Sequence, residues 1–288
     1  MSRLNNVMVA GAGVMGSQVA WMAAVHGKNV VNYDAFPEGL ERGKQFHDKY
    51  ALEFVNERGV SQTDVDAALA RITYTTDLAE ALRDADIIIE QVPEALKIKQ
   101  EFWEQASKLA PKKTIFCTNT SSLLPSAMLP FVDRPEKFLT LHFCVKVWDA
   151  NVGEVMATPK TSDEAFKDVS KFAEEMGLVP IEIQKEQPGY VLNSLLIPFG
   201  RAAIDLVRKG VATPELIDKT WLICMANKGP LQMMDMAGMN VLYHVFAAEG
   251  EAGDAGAKEI AQFLKADYID QGKTGLQAGE GFYKYQRG

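Results

Sequence analysis

An α/β chain, with an N-terminal doubly wound, mostly parallel sheet followed by an all-α C-terminal domain, is the fold class that the sequence predicts. Three observations carry the prediction. Short apolar runs alternate with helical patterns over the first 186 residues. One run, Ile87-Ile88-Ile89, lacks polar alternation, as a parallel strand covered on both faces should. From Gln187-Pro188-Gly189 onward strands stop and only helical runs follow. The expected domains are therefore 1–186 and 187–288.

In chain order, strand 7–10 feeds Gly11-Ala12-Gly13-Val14-Met15-Gly16, a helix spans 14–26, and a second strand, 29–34, ends on Asp34. Each glycine has its own task here. Gly11 permits the tight turn, Gly13 lets a pyrophosphate approach the backbone, and Gly16 lets helix and strand pack closely. The helix start at Val14 and Met15 presents N–H groups and a positive dipole end to the phosphates. Asp34 stands where a carboxylate accepts the ribose hydroxyls of NAD and repels the 2′-phosphate of NADP. The unit reads as a Rossmann-type NAD-binding domain.

A helical excursion over about 37–70 follows, with Pro37 opening one helix and Ser61 capping a second. Strand 72–74, a short helix 78–82, strand 87–90, an amphipathic helix from Pro93 through Leu109 and strand 114–117 come next. Strands 138–142 and 154–157, helix 162–176 and strand 179–183 complete the domain, and Pro180 makes the last strand an edge. Helical runs are expected at 191–209, 214–225, 231–248 and 257–271.

Composition narrows the partners. A net charge of −8 argues against nucleic acid, whose phosphates require a basic surface. No apolar stretch approaches the roughly 20 residues of a membrane helix. Met1-Ser2-Arg3-Leu4 leads straight into the first strand, leaving no room for a signal peptide. Cys117, Cys144 and Cys224 show no metal spacing and read as reduced thiols. The expectation is a cytoplasmic protein that needs no metal.

Of the four histidines, His26 complements a helix end, while His47 and His244 read as surface or packing residues. His142 differs, because it ends a strand at the carboxyl edge, where open α/β sheets bind ligands. Its possible neighbours are Ser121, after the preceding strand, and Glu154, on the following one. The alternative is a core histidine bonded to a backbone carbonyl. The trio suits NAD-linked alcohol oxidation: histidine takes the hydroxyl proton, a carboxylate fixes its tautomer, and a serine binds the oxygen.

At these residues the chain resembles the L-3-hydroxyacyl-CoA dehydrogenases, most of all their short bacterial members, the 3-hydroxybutyryl-CoA dehydrogenases. The resemblance runs through Gly11–Gly16, Glu90-Gln91-Val92-Pro93-Glu94, Asn119-Thr120-Ser121-Ser122, Leu141-His142-Phe143 and Gln187-Pro188-Gly189-Tyr190-Val191-Leu192-Asn193. It continues through Gly229-Pro230-Leu231 with Asp235 and Gly281-Phe282-Tyr283, so it covers essentially the whole chain. It implies a His142–Glu154 catalytic dyad, contacts from Ser121 and Asn193 to the substrate oxygen, and Val92, Glu94, Lys99 and Asn119 around the nicotinamide half of NAD. It also implies an acyl-CoA substrate and a homodimer formed through the helical domain.

Departures from the family pattern matter as much. Relatives follow the histidine with Phe-Asn-Pro, whereas here Phe143-Cys144-Val145-Lys146-Val147-Trp148-Asp149-Ala150-Asn151 follows, so Lys146, Trp148 and Asn151 are expected to reshape the acyl pocket. Lys273-Thr274-Gly275 is separated from Gly281-Phe282-Tyr283 by a longer stretch than in relatives. For the CoA arm, Lys44, Lys49 and Arg58 are candidates, with Lys49 assigned to substrate. The expected reaction interconverts a short-chain (S)-3-hydroxyacyl-CoA and its 3-ketoacyl-CoA. The alternatives are a dehydrogenase of a free 3-hydroxy acid such as carnitine, or a non-catalytic, crystallin-like NAD-binding protein.

Overall fold

The computed structural model describes residues 3–225 and 230–285. Met1 and Ser2 of the Met1-Ser2-Arg3-Leu4 run and Gly229 of the Gly229-Pro230-Leu231 motif lie outside the described residues. The first part of the chain forms β1 (Asn6–Ala10), α1 (Val14–Val25), β2 (Asn29–Tyr33), α2 (Pro37–Arg58), α3 (Gln62–Ala70), β3 (Ile72–Thr75) and α4 (Leu78–Leu82). It continues with β4 (Ile87–Glu90), α5 (Leu96–Leu109), β5 (Ile115–Thr118), β6 (Phe138–Phe143), β7 (Val152–Ala157), α6 (Asp163–Glu175) and β8 (Val179–Ile183). Helices α7 (Leu192–Arg208), α8 (Pro214–Met225), α9 (Pro230–Ala237), α10 (Met239–Glu251) and α11 (Ala255–Asp267) follow without a further strand among the described residues.

The strand order is β3-β2-β1-β4-β5-β6-β7-β8. Every pairing is parallel except β6 with β7. The order reverses between β1 and β4, and the crevice beyond their carboxyl ends is where such sheets take ligands. Both faces are covered, as the uninterrupted Ile87-Ile88-Ile89 run predicts. Ile87 and Ile89 pack with Val7, Val9 and Trp21 on one face, and Ile88 packs with Met8, Trp103 and Phe116 on the other. Pro180 lies on β8, the edge strand beside β7.

Helix starts follow local chemistry. Pro37 occupies the first turn of α2, Ser61 accepts from Asp64 N–H to cap α3, and Ser162 accepts from Ala165 N–H to cap α6. Three expectations need correction. The helix expected from Pro93 begins only at Leu96, because Ala95 is extended and Glu94 is turned away into a loop described below. The single run expected over 231–248 is two helices, broken at Gly238, whose φ of 88° favours glycine. The run expected over 257–271 starts earlier, on an Asp254 cap, and ends in a 3₁₀ turn at Ile269–Gln271.

Two compact units emerge, Met1–Phe199 and Gly200–Gly288. Residues 187–199 belong with the first unit, where Tyr190 bonds to Thr120 just beyond β5 and Val191 and Leu192 bond to Glu154 of β7. In the second unit, buried Asp235 accepts from the N–H groups of Phe282 and Tyr283 and from the Tyr285 hydroxyl, tying the closing segment to α9.

His47 is a fully buried packing residue of the first unit. It stacks on Trp21, its Nε2 donates to the Ser17 carbonyl at 2.9 Å, and its Nδ1 lies 2.6 Å from the Tyr74 hydroxyl. Burial lowers it to about 4, against the pull of the Ser17 carbonyl. The unfolded chain therefore binds a proton below about pH 6.5 that the folded chain refuses until about pH 4, so stability falls as pH drops through that window. The interval corresponds to roughly 3 kcal/mol. Urea midpoints at pH 7 and 4.5 should fall less in His47→Gln than in wild type; equal slopes would exclude His47 as a source of acid lability.

Candidate active site

The glycine turn closes against β4. A Cβ on Gly16 would fall 1.9 Å from the Gly11 carbonyl oxygen, and one on Gly11 would fall 2.7 Å from that of Gln91. Only glycine fits at either position. A Cβ on Gly13, the residue capping α1, would meet nothing within 4 Å, and no side chain caps this helix. The first-turn amides at Val14, Met15 and Gly16 therefore face a position with room for an anion. Asp34 follows β2 and is oriented by the N–H groups of Ala12 and Phe36, both at 3.0 Å. Gly39 of α2, which the sequence reading passed over, makes room for it: a Cβ there would fall 2.4 Å from the Asp34 carboxyl carbon. These residues fit NAD.

A second group of acids organises the ends of β4 and β5. Glu90 is fully buried and accepts from Lys99 Nζ at 2.6 Å, Thr118 Oγ1 at 2.7 Å and Val92 N–H at 2.9 Å. Burial pushes its carboxyl up despite the Lys99 charge. Lys99 also reaches Glu94 at 3.2 Å. Glu94 Oε1 accepts from Thr120 Oγ1, the N–H groups of Ser121 and Ser122, and Ser122 Oγ, at 2.5 to 2.9 Å. Partial burial opposes its ionisation, but these donors and Lys99 hold it down at about 2. Asn119 donates to Gln91 Oε1 and accepts from Phe143 N–H at 2.8 Å, linking the ends of β4, β5 and β6.

The dyad residues face each other across β6 and β7, where His142 pairs with Glu154 in register. His142 Nδ1 lies 2.8 Å from Glu154 Oε2, and both residues are buried. The other carboxylate oxygen accepts from Val191 and Leu192 N–H, each at 2.9 Å, at the start of α7. Burial raises the Glu154 carboxyl, but His142 and the two amides outweigh it and hold it below the ordinary range. The His142 ring stacks on Tyr190, with centroids 4.6 Å apart. Burial, then the Glu154 charge, pushes the nearby Cys144 thiol up.

The expected site residues divide among these groups. His142 and Glu154 meet directly, while exposed Ser121 sits on the loop held by Glu94, and Asn193 lies in the first turn of α7. Lys99 is buried and bonded to Glu90, Glu94 and the Val92 carbonyl. Lys49 is exposed on α2 and takes no part in these bonds. Sequence reasoning missed Gln91 and Tyr190, although both stand inside quoted motifs.

The atypical segment after His142 docks on α2. Gln18 Oε1 accepts from Lys146 N–H at 2.7 Å, and Lys146 has φ of 60°. Trp148 meets Tyr50 and Phe54 edge-on at 4.9 and 5.4 Å and donates to Glu53 at 2.9 Å, while Arg58 pairs with Asp149. Asn151 donates to the Gly177 carbonyl.

An open α/β sheet with a glycine turn, an acid just beyond β2 and a histidine–carboxylate pair at its carboxyl edge defines an NAD-dependent oxidoreductase. Comparison with known proteins is narrower. The family model described as 3-hydroxyacyl-CoA dehydrogenase, NAD binding domain, matches residues 6–187, and that of the C-terminal domain matches 189–285. The chain belongs to the 3-hydroxyacyl-CoA dehydrogenase family. A probable 3-hydroxybutyryl-CoA dehydrogenase of Bacillus subtilis is 33% identical over 285 residues, covering 98% of each chain. Among solved structures, a diketoreductase described in substrate-directed dual catalysis of dicarbonyl compounds is 44% identical, with a TM-score of 0.75, covering 99% of this chain and 100% of that one. The (S)-3-hydroxybutyryl-CoA dehydrogenase of Ralstonia eutropha is 26% identical with a TM-score of 0.73, covering 99% of this chain and 100% of the other.

Because Glu94 stays ionised down to about pH 2, its anchoring of the loop is intact above the usual carboxylate range and fails only as pH falls through about 2. Glu94→Gln, which loses the charge at every pH, should raise the KM for the ketone roughly tenfold. Steady-state kinetics at pH 7 checks this, and an unchanged KM would show that the loop does not need the carboxylate.

Proposed function

We propose that this enzyme interconverts a short-chain (S)-3-hydroxyacyl-CoA and its 3-ketoacyl-CoA, with His142 as the acid–base. The observation that carries the reading is the His142–Glu154 pair, which ties up Nδ1 and leaves Nε2 for substrate. Bound NAD supplies the nicotinamide that accepts or returns the hydride. His142 Nε2 takes the hydroxyl proton in oxidation and gives it back in reduction. Glu154 fixes the Nδ1–H tautomer and its charge stabilises the imidazolium. Ser121 and Asn193 hydrogen-bond the reacting oxygen. Gly11, Gly13 and Gly16, with the amides at Val14 and Met15, receive the pyrophosphate, and Asp34 receives the ribose. Val92, Glu94 and Asn119 surround the nicotinamide half, with Lys99 acting on it through Glu94.

A second reading keeps the chemistry and drops the CoA carrier. The 44% identity to a diketoreductase favours it. So does the use of Arg58, a candidate for the CoA phosphates, in the clasp with Asp149. NADH oxidation with acetoacetyl-CoA, with acetoacetate and with 2,4-pentanedione separates the two. Higher kcat/KM for the thioester supports the first reading, and negligible turnover of it rejects that reading. His142→Ala should lose roughly 10²–10⁴-fold in kcat with either ketone while still binding NADH. Full activity in that variant would end the dyad assignment.

The helical unit supports a homodimer, and the unpaired cysteines among the described residues fit a cytoplasmic setting. Leu216, Leu222 and Ile223 of α8 are 54%, 64% and 73% exposed, an apolar face suited to a second copy of the chain. Light scattering should give twice the 31.7 kDa chain mass, and a monomer at micromolar concentration would reject the assembly.

A further inference from the structure

We propose that Tyr190 is a positioning residue for the reaction, its ring setting the plane of the His142 imidazole and its hydroxyl tying the loop that carries Ser121 to the start of α7. The inference rests on His142 being the acid–base. A single hydrogen bond, from Nδ1 to Glu154, fixes where the ring sits but leaves it free to tilt about that bond. The direction of Nε2 then depends on what touches the ring face. Tyr190 supplies that surface: its ring lies 4.6 Å from the imidazole, with 17° between the planes, and it is only 1% exposed.

The backbone is bent to achieve this. Tyr190 has φ of 54°, an uncommon conformation for a bulky aromatic, and follows Gly189 at φ 78°. The next two residues, Val191 and Leu192, give their N–H groups to Glu154. One turn of chain therefore holds both partners of the dyad, the carboxylate by its amides and the imidazole by the preceding ring. At the far end of the ring the hydroxyl donates to the Thr120 carbonyl. Ser121 follows Thr120, and Asn193 lies three residues beyond Tyr190, so this side chain joins the two segments assigned to the substrate oxygen.

The ring and the hydroxyl make separable predictions. Tyr190→Leu removes the stack and should lower kcat roughly 10–100-fold, while NADH affinity stays within about twofold. Tyr190→Phe restores the stack without the hydroxyl and should recover kcat, leaving KM for the ketone raised about fivefold. The assay uses whichever of the three ketones above the wild type reduces fastest, with NADH binding followed by fluorescence. A wild-type kcat in Tyr190→Leu overturns the proposal, as does failure of Tyr190→Phe to recover it. Should Tyr190→Leu not fold, Tyr190→Phe decides alone: wild-type KM or lowered kcat overturns the proposal, and near-wild-type kcat with raised KM supports it. His142→Ala, run alongside, separates the two levels. An active His142→Ala ends the dyad reading itself, whereas an inactive one beside an unaffected Tyr190→Leu ends only the role of Tyr190.

Discussion

The Glu154 carboxylate is the constraint on which the proposed site depends. It is 1% exposed, and a buried carboxylate is costly unless every lone pair is answered. Here one oxygen takes His142 Nδ1–H and the other takes two amides at the N-terminus of α7, where the helix dipole also favours a negative charge. These bonds do more than offset burial. They fix the chain leaving the sheet at the spot where Tyr190 covers the imidazole and Asn193 enters the first turn of α7. The antiparallel pairing of β6 with β7 is a precondition, because it sets His142 directly opposite Glu154.

The same device recurs three strands away. Glu94 lies just beyond β4 and gathers three consecutive residues after β5 onto one oxygen. Its charge is balanced by Lys99, which is itself held by fully buried Glu90. Removing Lys99 would leave two carboxylates facing each other without a cation, so the lysine belongs to the scaffold of the loop. Buried between the two carboxylates, Lys99 bears on the loop only through Glu94. Glu94 and Glu154 are both held below the ordinary carboxylate range by the donors they collect, and each thereby orders the segment that supplies those donors.

Much of this was legible in the sequence, for physical reasons specific to each element. The glycine turn could be read because steric exclusion leaves no substitute: Gly16 would collide with the Gly11 carbonyl, and Gly11 with that of Gln91. Ile87-Ile88-Ile89 could be read because burial on two faces removes alternation. His142 and Glu154 could be anticipated as neighbours because one strand ends, and the next begins, near one edge. The Leu96 start of α5 could not, because it depends on Glu94 being drawn to residues 120–122, a contact invisible at sequence range. His47 shows the same gap, since nothing local marks a histidine that will be fully buried between Ser17 and Tyr74. Tyr190 was hidden differently, inside a motif whose other residues already had roles.

The segment after His142 shows how a departure from a family pattern is absorbed. Without an Asn-Pro turn, the chain uses Lys146 in the left-handed region and fastens its amide, with that of Val147, to buried Gln18 of α1. Trp148 then packs among Tyr50 and Phe54 rather than standing free, and Asn151 turns away to the Gly177 carbonyl. Of the three residues expected to reshape the acyl pocket, Trp148 is thus engaged in packing and Asn151 in a backbone contact. What the segment does is join α2 to the strand bearing His142, through Glu53, Arg58 and Asp149. Arg58 cannot serve that clasp and a phosphate at once without giving up Asp149, because each charged hydrogen bond it forms has to outweigh the one it breaks. A carrier bound along α2 would thus have to open the clasp, whereas a small dicarbonyl would leave it closed. The family supplies the reaction, and this fastening of α2 bears on how much of a CoA thioester the enzyme grips beyond the acyl group.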